Sequence, residues 1–337
     1  MPWNRVRGHE SLRLAFQEVV QKDRLAHAYL FIGPSGVGKA LFARELAKAL
    51  LCLNRQEAQL SACDECASCR QIEAGSHRDF IHARRPEESL EFPIALMREV
   101  CQRFTMKSSL GRGNFAIIED ADDLNEESAN CFLKTLEEPP PRSMIVLIST
   151  SADRQLSTIV SRCQTVRFSP LSDELVRDIL GEQGHDAEMI ERLIPLAEGS
   201  PGQALALADP ELWEFRQRWI QQLLSKPVQS AQAAKEWTQF VEAAGKEAAA
   251  QRRRASQCLA LLVSFLRQTL HLSLGREPAK EANQEIRAMQ ALSTRLSLDV
   301  LMNLIERALK TDMHIDRRVQ LVLALEALMD ALGQQLK

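Results

Sequence analysis

The segment that most constrains the fold of this chain is a glycine-rich loop at residues 33–40, Gly-Pro-Ser-Gly-Val-Gly-Lys-Ala. An apolar run, Ala28–Ile32, comes directly before it and predicts a buried strand. Residues 41–51 are rich in Ala, Leu, Lys and Glu and predict a helix. Strand, glycine loop and helix in this order aim a helix N-terminus at phosphate. The sequence therefore predicts a phosphate-binding loop, and an ordinary glycine-rich turn is the less favoured interpretation.

The loop matches the pattern G-x-x-x-x-G-K but lacks one functional group. Its candidate nucleotide-binding residues are Gly33, Ser35, Gly36, Gly38, Lys39 and Ala40. The glycines allow backbone N–H groups to surround phosphate, and Lys39 can reach the terminal phosphates. The next position usually carries a Ser or Thr whose hydroxyl binds Mg²⁺, whereas Ala40 offers only a methyl group. The loop therefore predicts binding of ATP or ADP and argues against its hydrolysis.

Buried strands alternate with helices over the first half of the chain, and only helical patterns follow Pro170. The predicted strands are 28–32, 79–83, 115–118, 143–148 and 164–168, and the predicted helices between them include 11–22, 41–51, 93–104 and 125–137. This alternation predicts an α/β fold with a parallel sheet covered on both faces. Amphipathic helices such as 256–270 and 319–332 favour core packing in the helical part, with a subunit contact as the alternative.

An acidic pair, Glu119 and Asp120, follows the predicted strand 115–118. A carboxylate in this position helps to hold Mg²⁺ in nucleotide-hydrolysing proteins. The usual order is Asp and then Glu, so Glu119 takes the metal position and Asp120 the water-activating position. Each carboxylate is then displaced by about one methylene, roughly 1.5 Å, which is enough to affect catalysis. An acidic strand end without a metal remains the alternative.

Four cysteines fall within 18 residues: Cys52, Cys63, Cys66 and Cys69. Cytosolic proteins seldom hold disulfides, and closely spaced C-x-x-C pairs can bring their sulfur atoms around one ion. Four thiolates favour a closed, structural Zn²⁺ site with no open position for catalysis. An iron–sulfur cluster and free thiols are the alternatives.

The composition sets limits on the class of protein. A length of 337 residues predicts two or three domains, and 45% apolar residues can fill sizeable cores. The chain has no run of 18 apolar residues and no signal-peptide pattern at its N-terminus, so we expect a cytoplasmic protein without a membrane span. The net charge of −3 does not require a nucleic-acid partner.

Several motifs together resemble bacterial DNA polymerase III clamp-loader subunits, which belong to the AAA+ ATPases. Besides the glycine loop and the cysteines, these motifs are residues 26–31 (AHAYLF), 133–140 (LKTLEEPP) and 161–163 (SRC). The resemblance covers residues 1–208 well, and the helical remainder matches only in length and character. It implies a RecA-like nucleotide-binding domain with a zinc module at 1–168, a small helical lid at 169–208 and an all-α oligomerisation collar at 209–337.

The departures from the family pattern favour the delta-prime type of subunit over the gamma/tau motor. Ala40 and the inverted acidic pair are two of these departures. The motor carries arginine in a Gly-Ser-x-Arg motif of the lid, and Gly202 stands at that position here. All three predict weak or absent hydrolysis.

The resemblance also implies an arginine finger, a nucleotide-base contact and a set of partners. Arg162 corresponds to the family's finger, which acts on the ATP of a neighbouring subunit, and Val6, Arg7 and Gly8 correspond to residues that pack the adenine base. The implied partners are the delta and gamma/tau subunits of the polymerase holoenzyme. The assembly loads the sliding clamp onto primed DNA.

Two other functions stay open at this point. The chain could itself be the motor ATPase, which would hydrolyse ATP in a reaction that depends on Lys39. It could also be a zinc-dependent DNA-binding protein that uses the cysteine module directly, although the near-neutral charge argues against this.

Overall fold

The computed structural model describes residues 3–55, 59–224, 229–276 and 283–336. It divides into two compact units. The first comprises the residues up to Val176 together with Gly199–Gly202, and the second comprises Arg177–Glu198 and the chain from Gln203 onward. The predicted domains at 1–168 and 209–337 each include residues outside the described ranges, so their boundaries stay predictions.

The first unit is built on one five-stranded sheet. All strand pairs are parallel, and the strand order is β2-β3-β4-β1-β5. Strands β1, β3 and β4 are buried along their whole length, whereas the edge strand β5 is partly exposed. The strands are β1 (Ala28–Ile32), β2 (Phe80–Ala83), β3 (Phe115–Ile118), β4 (Met144–Ser149) and β5 (Gln164–Arg167).

Helices cover both faces of this sheet because alternate residues of the buried strands point to opposite sides. Phe31 of β1 lies in an aromatic core with Phe42, while the preceding residue, Leu30, lies in a second core with Phe132. The helices are α1 (Glu10–Gln21), α2 (Lys39–Leu51), α3 (Ala67–Glu73), α4 (Ile94–Phe104), α5 (Glu126–Glu137) and α6 (Ser157–Val160). The predicted α/β fold with a parallel, two-sided sheet is confirmed.

Every element described after β5 is a helix. The predicted helices 256–270 and 319–332 correspond to a longer α12 and to α15. Trp219, Trp237 and Phe265 fill the interior of the second unit. The helices are α7 (Asp173–Glu182), α8 (Ala187–Ala197), α9 (Pro201–Ala206), α10 (Pro210–Leu224), α11 (Ser230–Glu242), α12 (Ala248–Ser273), α13 (Asn283–Arg295), α14 (Leu298–Asp316) and α15 (Leu321–Gln335). None of the helices in the described ranges is long and apolar enough to cross a membrane.

Candidate functional site

The glycine loop connects the carboxyl end of β1 to the N-terminus of α2. Gly33, Gly36 and Gly38 have φ angles of 147°, 78° and 101°, which residues with a side chain seldom adopt. A Cβ on Gly33 would lie 2.2 Å from the carbonyl oxygen of Phe168, at the end of β5. The three glycines are therefore required by the backbone path, and the loop has the shape that the motif predicts.

Ser200 and the start of α9 contact this loop within the first unit, and Ser35 and Gly36 of the loop stay exposed. The Ser200 hydroxyl, which is fully buried, donates to the Ser35 carbonyl at 2.6 Å, and the Gly202 N–H donates to the Gly36 carbonyl at 3.1 Å. A Cβ on Gly202 would lie 2.6 Å from the Gly36 Cα. The position at which the family resemblance expects arginine is therefore in direct contact with the loop backbone.

Lys39 is held inside the same loop. Its ammonium group donates to the carbonyl oxygens of Gly33 and Pro34, each at 2.6 Å, and the residue is 5% exposed. Burial lowers the pKa of Lys39 to about 8, although the negative charges of Asp122 and Glu119 act in the opposite direction. The lysine that the motif assigns to phosphate therefore bonds to backbone oxygen atoms of its own loop.

The acidic pair after β3 contacts basic groups from β2 and from the residue that follows it. Glu119 Oε2 lies 2.9 Å from His82 Nε2, and Arg84 Nε donates to Asp120 Oδ2 at 3.3 Å. The hydrogen bond from His82 lowers the pKa of Glu119. Arg44 of α2 lies 3.3 Å from His82 Nδ1, which fits a neutral His82 that carries its proton on Nε2. Both carboxylates therefore already have cationic or hydrogen-bonding partners.

Asp122 is a residue near this site that the motif analysis missed. Its carboxylate accepts from the Thr150 N–H at 2.9 Å, from Gln155 Nε2 at 3.3 Å and from the Ser149 hydroxyl. These contacts tie the segment after β3 to the end of β4. The position of Asp122 shortly after β3 could have indicated this role, because the carboxyl ends of parallel strands meet at one edge of the sheet.

The four clustered cysteines lie together, and their Sγ atoms are all within 4.8 Å of one another. Cys52 Sγ lies 3.6 Å from Cys63 Sγ and 3.9 Å from Cys66 Sγ. A tetrahedral site with Zn–S bonds of about 2.3 Å has sulfur atoms about 3.8 Å apart. The spacing and the all-sulfur donor set therefore fit a four-coordinate zinc ion.

Local hydrogen bonds favour thiolates in this cluster. The Cys66 N–H donates to Cys63 Sγ at 3.3 Å, and the Cys69 N–H donates to Cys66 Sγ at 3.5 Å. Burial opposes ionisation of Cys66, but the backbone N–H groups of Cys69 and Leu53 lower the pKa of its thiol to about 6. Burial raises the pKa of Cys69. Metal ligation requires the thiolate form, so these N–H groups support binding.

The cysteine module is anchored to α2, the helix that follows the glycine loop. Cys52 is the C-terminal cap of α2, and Cys66 is the N-terminal cap of α3. Lys48 of α2 is 5% exposed and lies 3.1 Å from Glu45 and 2.5 Å from Asp64, which belongs to the module. Sequence reasoning missed this ion cluster because Lys48 occupies an ordinary helix position.

The candidate finger Arg162 follows α6 and is partly exposed. Its Nε and Nη2 atoms donate to Glu137 Oε1 at 3.0 and 2.5 Å. Its Nη1 atom donates to the Thr158 carbonyl at 2.9 Å and to the Ser161 hydroxyl at 3.4 Å. The guanidinium is therefore held at the surface of the first unit by α5 and α6.

The segment assigned to the adenine base lies beside the core of the first unit. Val6 packs against the aromatic core, and Gly8 has a φ of 79° with the Leu171 side chain 2.5 Å from where a Cβ would lie. His9, which sequence reasoning did not single out, is buried, and its Nε2 lies 2.8 Å from the Val37 carbonyl of the glycine loop. The assignment of Val6, Arg7 and Gly8 to a base contact stays a prediction.

A parallel sheet with a glycine loop between an inner strand, here β1, and the following helix defines the class of P-loop α/β proteins. A family model described as "DNA polymerase III, delta subunit" matches residues 8–172 of the chain. The protein belongs to the family of DNA polymerase III clamp-loader subunits.

Curated relatives in this family include both delta' and tau subunits. DNA polymerase III subunit delta' of Bacillus subtilis is 37% identical over 202 residues, which cover 60% of each chain. The delta' subunit of Pseudomonas aeruginosa is 34% identical and covers 63% of this chain and 66% of its own. The tau subunit of Escherichia coli is 34% identical and covers 60% of this chain and 32% of its own. The match thus spans 60% and 66% of the length of these two delta' relatives.

A solved structure of a gamma subunit-related protein from Thermotoga maritima covers 96% of this chain at 15% identity, with a TM-score of 0.40. Because this score is below 0.5, the family assignment depends on the sequence relatives.

Proposed function

We propose that this protein is a delta'-type subunit of the DNA polymerase III clamp loader. It assists ATP-dependent loading of the sliding clamp onto primed DNA, hydrolyses ATP weakly or not at all, and supplies Arg162 to the ATP of a neighbouring subunit. Its membership of the clamp-loader family supports the assembly, and the delta' relatives support the subunit type.

The observation that carries the proposal is that the glycine loop and its lysine already have hydrogen-bond partners within the first unit. Ser200 and Gly202 bond to the loop backbone, and Lys39 bonds to loop carbonyls. Phosphate binds to loop N–H groups and to the lysine, so Lys39 would have to exchange its bonds to the Gly33 and Pro34 carbonyls for contacts with the nucleotide. Hydrolysis would further require a metal-binding hydroxyl, which Ala40 lacks. ATP or ADP is therefore at most a weakly held ligand of this loop.

The acidic pair gives independent support for weak hydrolysis. Glu119 and Asp120 would have to leave His82 and Arg84 before they could bind a metal or activate water. Both contacts stabilise the carboxylate form, and Arg84 also neutralises part of the charge of Asp120. The pair therefore acts as a structural link between β2 and β3.

Zinc is the cofactor that the donor set supports. Cys52, Cys63, Cys66 and Cys69 would hold the ion and close its four positions. Zinc would supply a cross-link that folds an otherwise polar insert, and no reaction step is assigned to it.

The proposed partners are the delta and gamma/tau subunits, with the sliding clamp and primed DNA contacted through the assembly in the cytoplasm. We place Arg162 at the boundary with the neighbouring subunit, where a guanidinium can stabilise the charge that develops during phosphoryl transfer. A finger of this kind contributes roughly 10³–10⁵ in rate at the site that it completes.

The test is ATP turnover by the loader assembled from this chain and its partner subunits. Arg162→Ala should preserve assembly and slow turnover, whereas Lys39→Ala should leave turnover unchanged. Arg103→Ala, which removes an exposed arginine of α4, is the matched control. Unchanged turnover for Arg162→Ala would refute the finger. Motor-like hydrolysis by the isolated chain, lost on Lys39→Ala, would identify a gamma/tau-type motor.

A further inference from the structure

The guanidinium of Arg162 has almost no free hydrogen-bonding capacity in this conformation. A guanidinium carries five N–H groups, one on Nε and two on each Nη atom. Glu137 takes the Nε proton and one Nη2 proton, while Thr158 and Ser161 take both Nη1 protons. Within the described residues, this leaves one Nη2 proton for any further partner.

One remaining N–H group is too few for the contact that an arginine finger makes. Arginine binds phosphate most strongly through two parallel N–H···O bonds, which need two adjacent free protons. Arg162 can present such a pair only after it releases Glu137 or the Thr158 carbonyl. Glu137 blocks both Nε and Nη2, the two nitrogens that form one edge of the guanidinium.

We propose that Glu137 is a positioning residue that keeps Arg162 in a resting orientation and releases it when the guanidinium binds phosphate on the neighbouring subunit. The inference depends on the finger role proposed for Arg162. Glu137 is the last residue of α5, and its side chain is 50% exposed, so water can replace the guanidinium at its carboxylate. An exposed ion pair of this kind is weak, so replacing Glu137 with a phosphate as the partner of the guanidinium costs little free energy.

Removal of the Glu137 charge should therefore make it easier for Arg162 to bind phosphate on the neighbouring subunit. In the assembled loader, Glu137→Gln should raise kcat/KM for ATP by about two- to five-fold, the range expected for loss of an exposed ion pair. Glu138→Gln is the matched control, because it removes the same charge one residue later, where no contact with Arg162 is formed among the described residues. The control should leave kcat/KM unchanged, and both variants should unfold at the same temperature.

A double-mutant cycle separates this role from a structural one. In a chain that already carries Arg162→Ala, Glu137→Gln should have no effect on kcat/KM. An effect that persists in this background would overturn the proposal, as would a Glu137→Gln variant that is slower than wild type or equal to the Glu138→Gln control. If Arg162→Ala itself leaves turnover unchanged, the finger role fails. If Arg162→Ala slows turnover but Glu137→Gln behaves like Glu138→Gln, the finger role is supported and the positioning role fails.

Discussion

Gly202 lies directly on Gly36. The N–H of Gly202 donates to the Gly36 carbonyl at 3.1 Å, and a Cβ on residue 202 would lie 2.6 Å from the Gly36 Cα. The motor-type pattern that the resemblance implies has arginine at 202, but here the space for its first side-chain atom is occupied by the glycine loop. The glycine at 202 therefore allows the start of α9 to contact the loop backbone.

This contact predicts that restoring the arginine does not restore an ATPase. Gly202→Arg should force the start of α9 away from the loop and lower the free energy of unfolding by about 1–3 kcal/mol, as overpacking does. Gly181→Arg is the control, since a Cβ there meets no other atom within 4 Å. Chemical denaturation measures both effects. Equal stability of the two variants, or ATP turnover by Gly202→Arg alone, would contradict the prediction.

The cysteine cluster predicts about one zinc ion per purified chain, because four thiolates complete one tetrahedral site. Cys66→Ser should lose the metal and lower the thermal midpoint of unfolding. Cys131→Ser, which changes a half-buried cysteine outside the cluster, should keep the full zinc content. Metal analysis by mass spectrometry is the measurement. A folded wild-type protein without zinc would rule out the site.

The buried Lys39 predicts a rise in stability with pH. Its pKa is about 8 in the folded chain, below the ordinary value of about 10.4 for an unfolded lysine. Between these values the unfolded chain binds a proton that the folded chain has lost, so the free energy of unfolding increases with pH. As the pH rises from about 7.5 to 10, the free energy of unfolding of wild type should therefore increase relative to that of Lys39→Met. Lys22→Met, at an exposed lysine, provides the reference for the lost charge.

Asp79 predicts a loss of stability at low pH. Burial alone would raise its pKa, but hydrogen bonds from Ser108, Ser109 and Leu110 outweigh burial and lower it. A carboxyl group with a lowered pKa stabilises the fold above its ordinary pKa of about 3.9, and this contribution is lost as the pH falls through the folded value. Asp79→Asn should cost about 1–3 kcal/mol at pH 7.

The matched control for this carboxylate is Asp153→Asn, at an exposed aspartate. It should change the free energy of unfolding by less than about 0.5 kcal/mol at pH 7. The gap between wild type and Asp79→Asn should narrow as the pH is lowered towards 3. A gap that stays constant over this range would show that the charge of Asp79 is not what stabilises the Ser108–Leu110 segment.

A buried ion pair is expected to stabilise the second unit. Arg216 is 1% exposed, and its Nη2 lies 2.8 Å from Glu285 Oε2. Glu285→Gln removes this negative charge from beside a buried guanidinium, which should lower the free energy of unfolding by about 3 kcal/mol. Glu214→Gln, on the exposed side of α10, should have little effect. Similar denaturation curves for the two variants would refute this role.

Much of the first unit could be predicted from local sequence. The predicted strand at 28–32 coincides with β1, and the predicted helix at 125–137 differs from α5 by one residue, because Asn125 is its N-terminal cap. The second unit was harder to predict. The long helix α12 was predicted only at 256–270, because its first turns are rich in charged residues and lack an apolar stripe.

The sequence by itself determined the features that depend on neighbouring residues. The glycine loop, its flanking strand and helix, and the C-x-x-C spacing of the cysteines are set within a few residues, because backbone freedom, periodicity and ligand reach are local properties. The same local motifs were sufficient to indicate the clamp-loader family.

Only the tertiary structure decided which partners these residues contact. Ser200 reaches Ser35 across 165 residues, Glu119 reaches His82 across 37, and Arg162 reaches Glu137 across 25. Contacts of this kind depend on which strand ends meet and which segments pack against them, and local periodicity does not specify either. The sequence therefore revealed the missing hydroxyl of Ala40, whereas the contacts of the loop, the paired carboxylates and the retained arginine follow from the packing of distant segments.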